Sequence, residues 1–147
     1  MNENLNHKWG MLLAPAAQTN GATRTANLDT LGADYATIQV SLSSALNTNG
    51  VGPTISLKES DDTQATNFVT FNANATLTAH SIATAHEVVF HIDTRSRKRY
   101  LQLGISAATA TNDTLTDSAS FSLGRLGIVQ PAASNMLAST NDSVVVC

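Results

Sequence analysis

The stretch from Val88 to Ser106, VVFHIDTRSRKRYLQLGIS, constrains this chain more than any other part of it. Val88, Phe90 and Ile92 alternate with Val89, His91 and Asp93. Beyond a polar tip, Leu101, Leu103 and Ile105 alternate with Tyr100, Gln102 and Gly104. Period two over such short segments is the signature of strands with one face buried. Two of them joined by a short polar tip read as a β-hairpin. Its tip contains Arg95, Arg97, Lys98 and Arg99, half of the eight Lys and Arg residues. A chain of formal charge −3 is therefore expected to carry one locally positive surface there, with Asp93 pairing inside the turn.

The same alternation recurs elsewhere. Ala36, Ile38, Val40 and Leu42 share one face of a strand entered through Gly32 and Asp34. Ile55 and Leu57 point inward from TISLKES, Phe68, Val69 and Phe71 open a third strand, and Phe121 and Leu123 lie in ASFSLGRLG. The loop at Asn47 to Pro53 and the turn at Asn112 and Asp113 separate these pieces, and the tract from Phe71 to Glu87, with Leu77 and Ile82 as its large apolar residues after Phe71, reads equally as strand or irregular structure. No amphipathic helix longer than two turns is visible. The expectation is an all-β chain, a single-domain β-sandwich or jelly roll of about six to eight antiparallel strands. Residues 26–130 form the sandwich, 1–25 an extended N-terminal arm without strand periodicity, and 131–147 a C-terminal tail. Val144, Val145 and Val146 make a terminal strand that adds to a sheet edge in this chain or in a neighbour.

With 147 residues the chain can bury a core without disulfides, and its one Cys, Cys147, excludes a disulfide framework. The net negative charge argues against nucleic acid as partner, and no apolar run is long enough to span a membrane. Leu12 to Ala17 is shorter than the apolar core of a secretory leader and follows Glu3, so no leader is expected. His80, His86, His91 and Asp93 match no metal-ligand spacing; His91 and Asp93 read instead as a polar cluster with Tyr100 or Gln102 across the hairpin. Glu59, Asp61 and Asp62 lack the glycine and distal glutamate of a calcium loop. No nucleophile elbow, phosphate loop or dinucleotide fingerprint occurs, so the expectation is no enzyme, no catalytic residue, no metal and no cofactor.

Two groups of residues suit contact with another protein. Trp9, Met11, Leu12 and Leu13 are the large apolar side chains of the arm, able to anchor on its own domain, a neighbouring subunit or a partner. The tip, Arg95, Arg97, Lys98 and Arg99, presents guanidinium forks that suit carboxylates.

GADYATIQVSLSSALN, TISLKESDDT and VVFHIDTRSRKRYLQLGIS, taken together, resemble a group of small proteins encoded among the structural genes of tailed bacteriophages. The resemblance covers about residues 28 to 107 and is most specific in DTRSRKRYL. It implies a virion component at the capsid surface, a cement or decoration protein that binds the major capsid protein and stabilises the head. Such a protein works as a homo-oligomer, a trimer for preference because quasi-threefold axes are common attachment points, with a dimer equally compatible with the residues. The shell contacts expected here are Trp9, Met11, Leu12 and Leu13, the basic tip, and Val144 to Val146. The alternative is a carbohydrate- or receptor-binding sandwich of a phage tail or fibre, with Tyr35 and Tyr100 at a sugar site. The scarcity of aromatic residues counts against it.

Overall fold

The computed structural model describes residues 7–19, 21–43, 53–71, 77–78, 85–107, 114–125 and 142–146. The strands are β1 (His7–Thr19), β2 (Thr23–Asp29), β3 (Tyr35–Leu42), β4 (Thr54–Ser60), β5 (Val69–Thr70), β6 (Leu77–Thr78), β7 (His86–Asp93), β8 (Tyr100–Ser106), β9 (Thr114–Gly124) and β10 (Asp142–Val146). They form two sheets, β1-β9-β3-β7-β10 and β2-β8-β4-β5, with β6 also on β4. The chain is an all-β sandwich, as expected. Among the described residues it has ten strands, two of them of two residues, and one parallel pairing, β10 on β7.

The alternating side chains make the core. Ala36, Ile38, Val40 and Leu42 of β3 and Val88, Phe90 and Ile92 of β7 face Ile55 and Leu57 of β4 and Leu101, Leu103 and Ile105 of β8 in one cluster. Burying a Val, Leu, Ile or Phe side chain contributes roughly 1.5–3 kcal/mol. The inward faces read from the sequence are thus the faces that hold the sheets together.

The hairpin is a correction. β7 pairs with β3 and β10, whereas β8 pairs with β2 and β4, so the two strands lie in opposite sheets and face each other across the core. The connection includes a 3₁₀ turn, Thr94–Ser96, whose first residue accepts from the Arg97 N–H at 3.2 Å. Period two specifies which side chains face inward but not which strand accepts the backbone hydrogen bonds. The polar cluster of His91 and Asp93 with Tyr100 or Gln102 falls with it: His91 faces Thr37, whose Oγ1 lies 3.3 Å from its Nδ1.

The N-terminal arm is a second correction. Residues 7–19 are β1, a strand of the sandwich paired with β9 from His7↔Gly124 to Thr19↔Thr114, and β2 begins at Thr23. The register shifts between Met11 and Leu13 and again between Leu13 and Ala16. Each irregularity breaks the alternation, so Met11 is exposed, Leu13 enters the core and Gln18 is buried. Pro15, which lacks an N–H, lies inside the second irregularity of this edge strand. The loop at residues 44–52, the turn at Asn112 and Asp113, His80, and the tail from 126 to 141 lie outside the described residues.

One polar group bridges the sheets. Asp117 of β9 is buried and accepts from Arg24 of β2 and from Gln18 Nε2 of β1, while Arg24 Nη2 donates to the Ala14 carbonyl at 2.7 Å. Burial pushes the Asp117 carboxyl above its ordinary range, against the pull of Arg24.

Candidate functional site

The expected site divides into two unlike regions. At the basic turn, every cation but one meets a carboxylate. Arg95 pairs with Asp93, which also accepts from the Arg95 backbone N–H at 3.1 Å. Arg99 Nε and Nη2 donate to the two carboxylate oxygens of Asp29 at 2.9 and 2.7 Å, a bidentate fork that joins the start of β8 to the end of β2. Lys98 Nζ lies 3.2 Å from Asp61, and the Lys98 N–H donates to Glu59 at 3.2 Å. Arg97 has no carboxylate within ion-pair distance among the described residues; its guanidinium stacks 4.3 Å from the Phe71 ring centre, and its Nε is buried without a hydrogen bond. The Arg95 guanidinium holds the Asp93 carboxyl down to about 2, and Arg99 lowers that of Asp29.

This arrangement corrects the expected positive surface. Arg95, Arg97, Lys98 and Arg99 are set among Asp93, Asp29, Asp61 and Glu59, so the turn is close to neutral and works as a clasp between β2, β4 and β8. The sequence signal for these partners was present, since Glu59 and Asp61 stand out as an acidic loop. Only folding brings that loop to the turn.

The second region is the rim of the first sheet. β1 and β10 are its two outer strands, so both expected chain-end segments stand at open edges among the described residues. Of the expected apolar anchors, Leu13 belongs to the core and Leu12 packs against it, whereas Trp9 is 82% exposed and Met11 65%. Cross-strand register sets two rows on the outer face: Trp9, Ser122, Thr37 and His91, then Met11, Ser120, Gln39 and Val89. A depression of about 220 Å³ opens between them, lined by Trp9, Thr37, Gln39, Ser120, Phe121 and Ser122. Gly10 lies opposite Phe121, whose ring covers it so closely that an added Cβ would sit 3.1 Å from Cε1. Ser120, Ser122, Thr37 and Gln39 carry no motif that sequence reasoning could seize, because their proximity to Trp9 comes from strand pairing alone.

Tyr35 and Tyr100 do not form a common site. Tyr35 stands in β3, edge-on to His7 at 6.3 Å and over Gly124, where a Cβ would come within 2.5 Å of its ring; Tyr100 stands in β8 beneath Arg99. Among the described residues no three His, Cys, Asp or Glu side chains group as metal ligands, and no helix is long and apolar enough to cross a membrane.

No family model and no curated protein sequence matches the chain. Among solved structures it is similar to the coat protein of tobacco streak virus, at 9% identity and a TM-score of 0.39 over 91% of this chain and 96% of that one. So loose an overlap establishes neither a common family nor a shared role.

Proposed function

We propose that the chain is a structural protein of a virus particle, a cement or decoration protein of a tailed-phage head that binds the major capsid protein at the shell surface. The resemblance of residues 28 to 107 to phage structural-gene proteins supports this reading. The observation that carries it is the placement of β1 and β10 as the two outer strands of one sheet, open at their edges among the described residues. An open edge offers unpaired N–H and C=O groups to an extended segment of a neighbour, which adds as a further strand. The irregular register and Pro15 blunt the second half of β1, which leaves residues 7–11 as the part of that edge suited to pairing. Attachment by main-chain groups does not draw on the basic turn, whose side chains are engaged within the domain.

Each copy makes a small contact, and a homotrimer on a quasi-threefold axis multiplies it through effective concentration; a dimer on a twofold axis would do so less strongly. The role needs no cofactor, catalytic residue, membrane or nucleic acid. Light scattering of the purified protein, followed by co-sedimentation with empty shells of the major capsid protein, tests the reading. A trimer that sediments with the shells in stoichiometric amounts is expected. A monomer that stays in the supernatant would overturn it.

A further inference from the structure

The chain has one tryptophan, and strand pairing places it beside the hydroxyl and amide groups of Ser122, Thr37, Ser120 and Gln39, with Phe121 also lining the depression. We propose that the depression beside Trp9 is a saccharide-binding site for a neutral pyranoside. The apolar face of the sugar stacks on the indole, and its hydroxyls bond to Ser122, Thr37, Ser120 and Gln39. This site is distinct from shell attachment, which uses the main-chain edge in the plane of the sheet, whereas the depression opens on the sheet's outer face.

Three observations carry the proposal. Trp9 is 82% exposed, so its ring is available for stacking, and an aromatic ring with a polar surround suits a ligand that is itself apolar on one face and hydroxylated at its rim. No charged side chain lines the depression, which matches an uncharged sugar and gives an anionic one no partner. The hydroxyls of Ser120 and Ser122 make no side-chain hydrogen bond among the described residues. On the same face Thr37 Oγ1 lies 3.3 Å from His91 Nδ1 and Gln39 Nε2 donates to Glu87, so the two serines are the open hydroxyls of the depression and Thr37 and Gln39 offer a sugar their remaining hydrogen-bonding capacity.

Scale agrees with this assignment. Neighbouring strands lie about 4.8 Å apart, comparable to the separation of two equatorial hydroxyls on alternate ring carbons, so one ring on Trp9 spans Ser122 and Thr37. A volume of about 220 Å³ falls below the range of drug-sized pockets and suits a single ring, with further residues of an oligosaccharide running along the face. A protein partner fits less well. Interface cores are aromatic and aliphatic, and here Trp9 and Met11 are the exposed large apolar groups of an otherwise hydroxyl-rich face.

Because Trp9 is the one tryptophan, its fluorescence reports on this site directly. The full chain is titrated with maltotriose, cellotriose and chitotriose. A saturable emission change at millimolar concentration with at least one of them is expected, weakened by about tenfold or more in the double variant Thr37→Val, Ser122→Ala. Circular dichroism checks that this variant folds, and calorimetry on Trp9→Ala, which removes the fluorophore, is expected to show no binding. Unchanged emission with all three sugars overturns the proposal, as does a change retained undiminished in the double variant. An emission shift produced by protein concentration alone, with no response to sugar, assigns Trp9 to a contact between copies and also overturns it. None of these measurements involves a shell, so their outcome is separate from that of co-sedimentation.

Discussion

The basic turn and the outer face at Trp9 differ in how their functional groups are engaged. In the turn, Arg95, Lys98 and Arg99 face Asp93, Asp61 and Asp29, and Arg97 lies against Phe71, so side chains that look available in sequence are held by the domain itself. At Trp9 the reverse holds. An indole from β1, a segment whose sequence shows no periodicity, and two serine hydroxyls from the outward face of β9 stand open. A dense run of charge therefore marks the place where β2, β4 and β8 are fastened together, while the groups left free for a partner lie on the open outer face beside the edge strand β1.

The largest effect that bears on this contrast belongs to the buried bridge beneath β1. Replacing Arg24 by Met leaves Asp117 buried without its cation, and a loss of about 3–5 kcal/mol in chemical denaturation is expected. Phe90→Ala, in the core away from both regions, is the calibration and is expected to cost a similar ~3–5 kcal/mol. A near-neutral Phe90→Ala would mean that the inward face of β7 is misassigned. Next comes the combined change Arg97→Ser, Lys98→Ser, Arg99→Ser. If the turn is a clasp, the melting temperature of the isolated protein falls by several degrees, and added salt narrows the gap to the parent by screening its ion pairs. An unchanged melting temperature, with shell binding lost, would return the turn to the interface.

Acid titration gives a smaller effect, with opposite signs at the basic turn and at the buried Arg24–Asp117 bridge. Asp93 is held at about 2 in the folded protein against an ordinary 3.8, so its contribution is present above pH 3.8 and is lost as pH falls toward 2. Asp93→Asn is expected to flatten that part of a melting curve series. Asp117 is raised by burial, so its proton is favoured by folding, and stability declines as pH rises from 3.8 through its folded value. A series in which Asp93→Asn leaves the acid limb unchanged would show that Arg95 does not hold its carboxylate in solution. The smallest effect on stability is expected at Trp9, where Ala should change it by less than about 0.5 kcal/mol because the side chain is exposed, while sugar binding is lost.

Much of the fold was legible in the residues. The faces of β3, β4, β7 and β8 follow from period two, since a half-buried strand must alternate whatever its neighbour. β1 was not legible, because two shifts of register between Met11 and Ala16 erase the alternation that announces a strand. The candidate site was legible only in part. Trp9 and Met11 stand out as large apolar residues in a polar context, but Ser120, Ser122, Thr37 and Gln39 resemble every other Ser, Thr and Gln in the chain.

Sequence by itself determined the all-β class, the inward face of each regular strand and the identity of the acidic and basic side chains. These depend on local alternation and composition, which act residue by residue. Tertiary structure alone decided that Val88 to Ser106 crosses between sheets instead of closing a hairpin, that Asp29 and Asp61 reach the basic turn, and that Trp9 stands beside Ser122 and Thr37. Each is a choice of partner between segments far apart in the chain. That choice is settled by which pairing buries all the apolar faces at once and gives the buried polar groups their hydrogen bonds.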